Sequence, residues 1–144
     1  MKNLFRYIVV DDDKTNNLIC EFVIKGWRPG AEVELFEKPE EALKKFGENK
    51  GGFESPILLF LDVNMPTMSG WEFLDIFNTF DESIKSRFRI YILTSSIEKF
   101  DKETILYPCV SGFLSKPLEK HDLDRVWQEL EKTGLNGKKI IQDI

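Results

Sequence analysis

Five short apolar runs recur along the 144 residues of the chain, each closed by polar or charged residues. Between them lie segments whose apolar residues return every three or four positions. Tyr7-Ile8-Val9-Val10 is continuous and β-branched, as in a strand buried on both faces, and ends in Asp11-Asp12-Asp13. From about Lys14 to Trp27 the period becomes helical. Leu18, Ile19, Phe22 and Val23 share one face, and Arg28-Pro29-Gly30 breaks the segment. From about Glu32 to Phe36, Val33 and Leu35 alternate with charges, which predicts an edge strand. Pro39 then stands at the first turn of a helix that runs through Ala42, Leu43 and Phe46 and is ended by Gly47, Gly51 and Gly52. Ile57 to Leu61 is a third strand, closed by Asp62. A helix starting near Gly70 turns Phe73, Leu74 and Phe77 inward. Arg89 to Leu93 is a fourth strand, ending in Thr94-Ser95-Ser96. Ser95 and Glu98 have capping-box spacing for a weakly patterned helix with Ile97, Phe100, Ile105 and Leu106, which ends before Pro108. A fifth strand, about Val110 to Leu114, runs into Ser115-Lys116-Pro117. The last helix presents Leu123, Val126, Trp127 and Leu130 on one face and ends at Gly134.

Five strands alternating with five helices predict an α/β fold: a five-stranded parallel sheet, doubly wound, with helices on both faces. One domain is expected over residues 1–133, followed by a short tail, 134–144. Composition adds mainly exclusions. Hydrophobic residues are 42% and charged residues 31%, an ordinary globular mix. The net charge of -5 argues against direct binding of nucleic acid, which needs clustered positive charge. No apolar run approaches the ~20 residues of a membrane span, and Met1 to Arg6 lead straight into a strand rather than a signal peptide. Cys20 and Cys109, far apart and inside apolar patterns, read as buried free thiols, so a cytoplasmic location is expected. The single histidine, His121, weakens any histidine-based metal site or triad.

The chemistry collects at strand ends. In a parallel sheet the residues after each strand emerge on one edge, where such folds bind ligands. Here they are Asp11, Asp12 and Asp13, then Asp62, Thr94 and Lys116. Several carboxylates in one crevice repel unless a cation lies among them, and a hard divalent ion such as Mg²⁺ needs only one or two of them directly. A lysine and a hydroxyl facing that ion suit an anion with several oxygens, and a phosphoryl group fits. Each residue alone has an ordinary use. Asp13 caps a helix, Thr94 closes a strand, Lys116 is solvated, and Pro117 starts a helix. Met65 and Met68 read as loop packing.

Four pieces carry a family resemblance: Val9-Val10-Asp11-Asp12; Leu61-Asp62-Val63-Asn64-Met65-Pro66 with Ser69-Gly70; Leu93-Thr94-Ser95; and Phe113-Leu114-Ser115-Lys116-Pro117. In this order, each closing a strand, they resemble the receiver domains of two-component response regulators, from Tyr7 to about Lys132. The resemblance implies a CheY-like, flavodoxin-like sheet of strand order 2-1-3-4-5. It implies that Asp62 accepts a phosphoryl group and becomes an acyl phosphate. Asp12 would bind Mg²⁺ (or Mn²⁺) directly, with Asp62 and the backbone carbonyl of Asn64, and Asp11 through water. Lys116 would pair first with Asp62 and then with the phosphoryl oxygens, across a cis bond to Pro117. Thr94 would answer the phosphoryl group, with Phe113 as the switch aromatic, here without a phenol hydroxyl. The implied partners are a histidine kinase or histidine phosphotransfer protein, and an effector reading the helix before Pro108, the fifth strand and the last helix. Asp13 falls outside the metal pair and is expected to cap the first helix.

Other readings stay open at this point. Asp11-Asp12-Asp13-Lys14-Thr15 also reads as D-x-D-x-T, which resembles the nucleophile motif of haloacid-dehalogenase-like phosphohydrolases, with Asp11 as nucleophile and Asp13 as acid/base. No paired acidic residues close a further strand after Lys116, and this reading leaves Asp62 to Pro66 unexplained. A receiver-like binding module that works without phosphorylation is a second alternative. A flavin-binding flavodoxin would need a hydroxyl- and glycine-rich phosphate loop where three aspartates stand.

Overall fold

The computed structural model describes residues 5–49, 54–95 and 107–133. Its strands are β1 (Arg6–Val10), β2 (Val33–Phe36), β3 (Ile57–Leu61), β4 (Phe88–Thr94) and β5 (Val110–Ser115). Its helices are α1 (Lys14–Trp27), α2 (Pro39–Gly47), α3 (Gly70–Phe77), the single turn α4 (Glu82–Lys85) and α5 (Lys120–Thr133). The strands form one sheet of order β2-β1-β3-β4-β5, all neighbours parallel. This is the flavodoxin-like arrangement, and β2 is an edge as its alternation predicted. Four helices lie where the pattern put them. The four-residue α4 was not read from the sequence, and the helix expected between Ser95 and Pro108 falls largely outside the described residues. No helix among the described residues is long and apolar enough to cross a membrane.

Alternate side chains along the central strands feed two cores, one on each face. Ile8, Val10, Leu59, Leu61, Ile90 and Ile92 pack with Phe46 of α2 and with Phe73, Leu74 and Phe77 of α3. Tyr7, Val9, Leu58, Phe60, Tyr91 and Leu93 pack with Cys20 and Ile24 of α1 and with Leu123, Val126 and Leu130 of α5. With both faces covered, every residue of β3 is buried, which is why the run has no polar alternation. At the far end of α1, the Arg28 guanidinium lies 4.4 Å from the ring centroids of both Trp27 and Trp127, tying α1 to α5.

α1 departs from the simple amphipathic picture. Its stripe Leu18, Ile19 and Phe22 faces outward, with Phe22 80% exposed. The helix instead buries Asn16, Asn17, Cys20 and Ile24. The first two of these lie against the carboxyl edge of the sheet and hydrogen-bond Asp11. The helix is rotated to bring these amides inward, at the expense of its apolar stripe.

The turn from β3 into α3 is tight. The Gly70 amide donates to the Val63 carbonyl at 2.9 Å, and Ser69 with Glu72 closes a reciprocal capping box. A Cβ on Gly70 would stand 2.7 Å from the Asp62 carbonyl oxygen and 2.9 Å from the Val63 Cα. Both are backbone atoms that cannot rotate aside. Gly70→Ala is therefore expected to destabilise the protein by about 1–3 kcal/mol in thermal or urea unfolding. Wild-type stability would show that the loop after Asp62 relaxes freely.

Candidate functional site

Strand register brings the site together. Val10 pairs with Leu61 across β1 and β3, so the residues that follow, Asp11 and Asp62, leave the sheet side by side. The Asp62 amide donates to the Val10 carbonyl at 2.9 Å, and the Asp11 amide to the Phe36 carbonyl at 3.0 Å. Across β4 and β5, Thr94 pairs with Ser115, and the next amide, that of Lys116, donates to the Thr94 carbonyl at 2.9 Å. The Lys116–Pro117 peptide is cis.

Asp11, Asp62 and Thr94 are buried, at 1%, 4% and 0% exposure, while Asp12 is exposed. Lys116 Nζ lies 2.8 Å from Asp11 Oδ2 and 3.2 Å from Asp62 Oδ1. Each oxygen of Asp11 has a further donor: the Asp13 amide on Oδ1 at 2.9 Å and the Asn16 side-chain amide on Oδ2 at 2.7 Å. Among the described residues, the further donor on Asp62 Oδ1 is the Asn64 amide, at a long 3.4 Å. Asn64 itself is exposed. Asp13 caps α1, accepting from the amides of Thr15 and Asn16, so it stands apart from the other carboxylates.

Asp11, Asp12 and Asp62 each offer an oxygen within 4.8 Å of the others. Burial, and next the charge of Asp11, push the Asp62 carboxyl up to about 6, with Lys116 opposing. For Lys116, burial pulls downward, but its hydrogen bond to Asp11 and the charges of both aspartates outweigh it, and the net shift is upward. Three carboxylates and one lysine leave excess negative charge, and the donor atoms are oxygens. That set fits a hard divalent cation such as Mg²⁺. Beneath the site, burial and the Asp11 charge push the Cys20 thiol up to about 12, which keeps it an inert core group. Cys109 is half-buried, and neither cysteine is in a disulfide.

Phe113 lies on the sheet face of α3, half-buried. Its ring centroid is 6.4 Å from that of Trp71, which stacks on Tyr107 at 5.0 Å. The Tyr107 hydroxyl donates to Asp75 at 3.0 Å. Thus Asp11, Asp12, Asp62 and Lys116 converge, Thr94 closes the adjacent strand, and Phe113 stands off in an aromatic group. Sequence reading missed Asn16 and Asn17. The available signal was two amides on the first turns of a helix that follows directly on the aspartates.

The raised Asp62 carboxyl sets a sign for pH dependence. The folded group holds its proton to about pH 6, whereas it would ordinarily release it near 3.8. Between these values the folded state binds more protons, so this group's contribution to stability falls as pH rises through that window. Without divalent metal, Asp62→Asn is expected to be more stable than wild type at pH 8, by roughly 1–3 kcal/mol. That advantage should vanish near pH 4 in paired thermal melts. An advantage constant across pH would refute the charge as its origin.

The sequence model of the response regulator receiver domain matches residues 7–128. No curated protein matches the chain. Among solved structures, a two component response regulator from Cytophaga hutchinsonii is similar at 22% identity and TM-score 0.79, covering 91% of this chain and 99% of its own. The chemotaxis protein CheY4 of Vibrio cholerae is 27% identical with TM-score 0.67, covering 88% and 98%. The receiver domain of sensor histidine kinase PA1611 from Pseudomonas aeruginosa PAO1 has TM-score 0.67 at 18% identity, covering 89% and 97%. It holds a magnesium ion coordinated in its active site cleft.

Proposed function

The chain belongs to the response regulator receiver domain family, and from that premise we propose that Asp62 is its phosphoacceptor, with phosphorylation switching a partner-binding surface. The observation that carries this reading is the Asp11–Lys116–Asp62 bridge at the carboxyl edge, with Lys116 2.8 Å and 3.2 Å from the two aspartates. A carboxylate oxygen of Asp62 attacks the phosphorus of a phosphohistidine donor in line. A phosphorus–oxygen bond forms to Asp62, the bond to the donor's imidazole nitrogen breaks, and that nitrogen keeps the electron pair. Asp12, Asp62 and the Asn64 carbonyl would hold Mg²⁺ directly, and Asp11 would hold it through water. When bound, the ion neutralises charge on the phosphoryl oxygens. Lys116, already between the carboxylates, moves its charge to the phosphoryl group, and Thr94 donates its hydroxyl. The donor is a histidine kinase or histidine phosphotransfer protein.

The phosphohydrolase alternative lacks support in the geometry, because the Asp13 carboxylate caps α1 rather than facing a substrate beside Asp11. The output surface we propose comprises the helix before Pro108, β5 and α5. Of these, that helix lies outside the described residues. Phe113 lacks a hydroxyl, so its part in the switch rests on packing against Trp71.

Mass spectrometry after treatment with acetyl phosphate and Mg²⁺ tests the core of the proposal. One added phosphoryl group is expected on wild type, and none on Asp62→Asn or in excess chelator. Steady phosphate release from a generic phosphomonoester would instead support the phosphohydrolase. An unlabelled, folded wild type would support the phosphorylation-independent binding module. Thr94→Ala is expected to keep the label on Asp62 but lose phosphorylation-dependent partner binding. Unchanged binding by that variant would remove Thr94 from the switch.

A further inference from the structure

Asn16 and Asn17 are buried, at 6% and 1% exposure, on the inner face of α1. Burying an amide is costly unless it is hydrogen-bonded, so the partners of the two Nδ2 groups bear on why they are there. The two divide the work. Asn17 Nδ2 donates to the backbone carbonyls of Asp11, at 2.9 Å, and Phe36, at 3.4 Å. Asn16 Nδ2 donates to the Asp11 side chain, 2.7 Å from Oδ2, and lies 3.7 Å from the Cys20 sulfur.

We propose that Asn16 is a positioning residue for the metal site: its amide fixes the plane of the Asp11 carboxylate and keeps it fixed when Lys116 leaves for the phosphoryl group. The inference rests on reading Asp11, Asp12 and Asp62 as a divalent-cation site. Lys116 and Asn16 share Asp11 Oδ2, while the Asp13 amide holds Oδ1. Two donors, one on each oxygen and neither of them mobile as Lys116 is, define the carboxylate plane. Without Asn16, Oδ2 keeps only Lys116 as a donor among the described residues, a mobile cation that an incoming Mg²⁺ repels and a phosphoryl group draws away, at a position 1% exposed. The group would then turn about its Cβ–Cγ bond. Groups that orient the ligands of a metal commonly change its affinity 10–100-fold.

Calorimetric titration of Mg²⁺ into the full chain tests this. Wild type is compared with Asn16→Leu, which keeps the volume and removes the donor, with Asn16→Ala, with Asn17→Ala, and with Asp12→Ala. Both Asn16 variants are expected to bind Mg²⁺ about 10-fold more weakly or worse. Asn17→Ala should lose thermal stability yet bind close to wild type. Wild-type affinity in a folded Asn16→Leu overturns the proposal. Wild type that binds no Mg²⁺, or binds it as Asp12→Ala does, overturns the metal-site reading, a result distinct from the first. A second measurement needs no variant: the Asn16 side-chain amide protons, followed by NMR, should exchange slowly both without Mg²⁺ and at saturation. Fast exchange at saturation means that Asn16 has released Asp11, and it overturns the proposal.

Discussion

The structure depends on holding two buried carboxylates, Asp11 and Asp62, beside one lysine at the edge of a parallel sheet. Like charges in a poorly solvated place repel, and burial first, then that repulsion, raises the Asp62 carboxyl to about 6. The sheet sustains the arrangement because its register is fixed by continuous apolar strands packed on both faces. Shifting β3 by one residue would turn every side chain to the other face, exchanging the two cores and withdrawing Asp62. Stability in the strands therefore supports a locally unfavourable cluster at their ends. That division is expected where a site is built for chemistry rather than for packing.

Much of this was legible because a parallel α/β fold turns sequence position into spatial position. Once the apolar runs are strands, the residues after them share an edge, and Asp11, Asp62, Thr94 and Lys116 follow with no knowledge of distances. What was hidden has physical reasons. A single turn such as α4 is too short to show a period. The side on which α1 would lie could not be read from its stripe, because Leu18 and Phe22 promise burial by hydropathy alone. The buried side was decided by polar demand: Asp11 needs donors on its side chain and its carbonyl, and Asn16 and Asn17 supply them. Periodicity finds the apolar face of a helix, but a buried charge nearby overrides it.

The same balance of donors bears on why Asp62, rather than Asp11, is the proposed acceptor. Both are buried, both touch Lys116, and both close a central strand. Asp11 is the more saturated: the Asp13 amide, the Asn16 amide and Lys116 all approach within 2.9 Å. Such donors stabilise a carboxylate and lower its readiness to share electrons. Asp62 has Lys116 at 3.2 Å and the Asn64 amide at 3.4 Å among the described residues. Its negative charge is held by fewer and longer contacts, and its raised carboxyl is a basic oxygen donor that is still ionised above about pH 6. In the proposed reaction, a group so poised is under-stabilised beforehand and gains most from a new bond to phosphorus. The well-satisfied Asp11 is better suited to hold its position. The different parts proposed for the two neighbouring aspartates thus follow from the number and closeness of their donors, set by α1 on one side and the β3–α3 loop on the other.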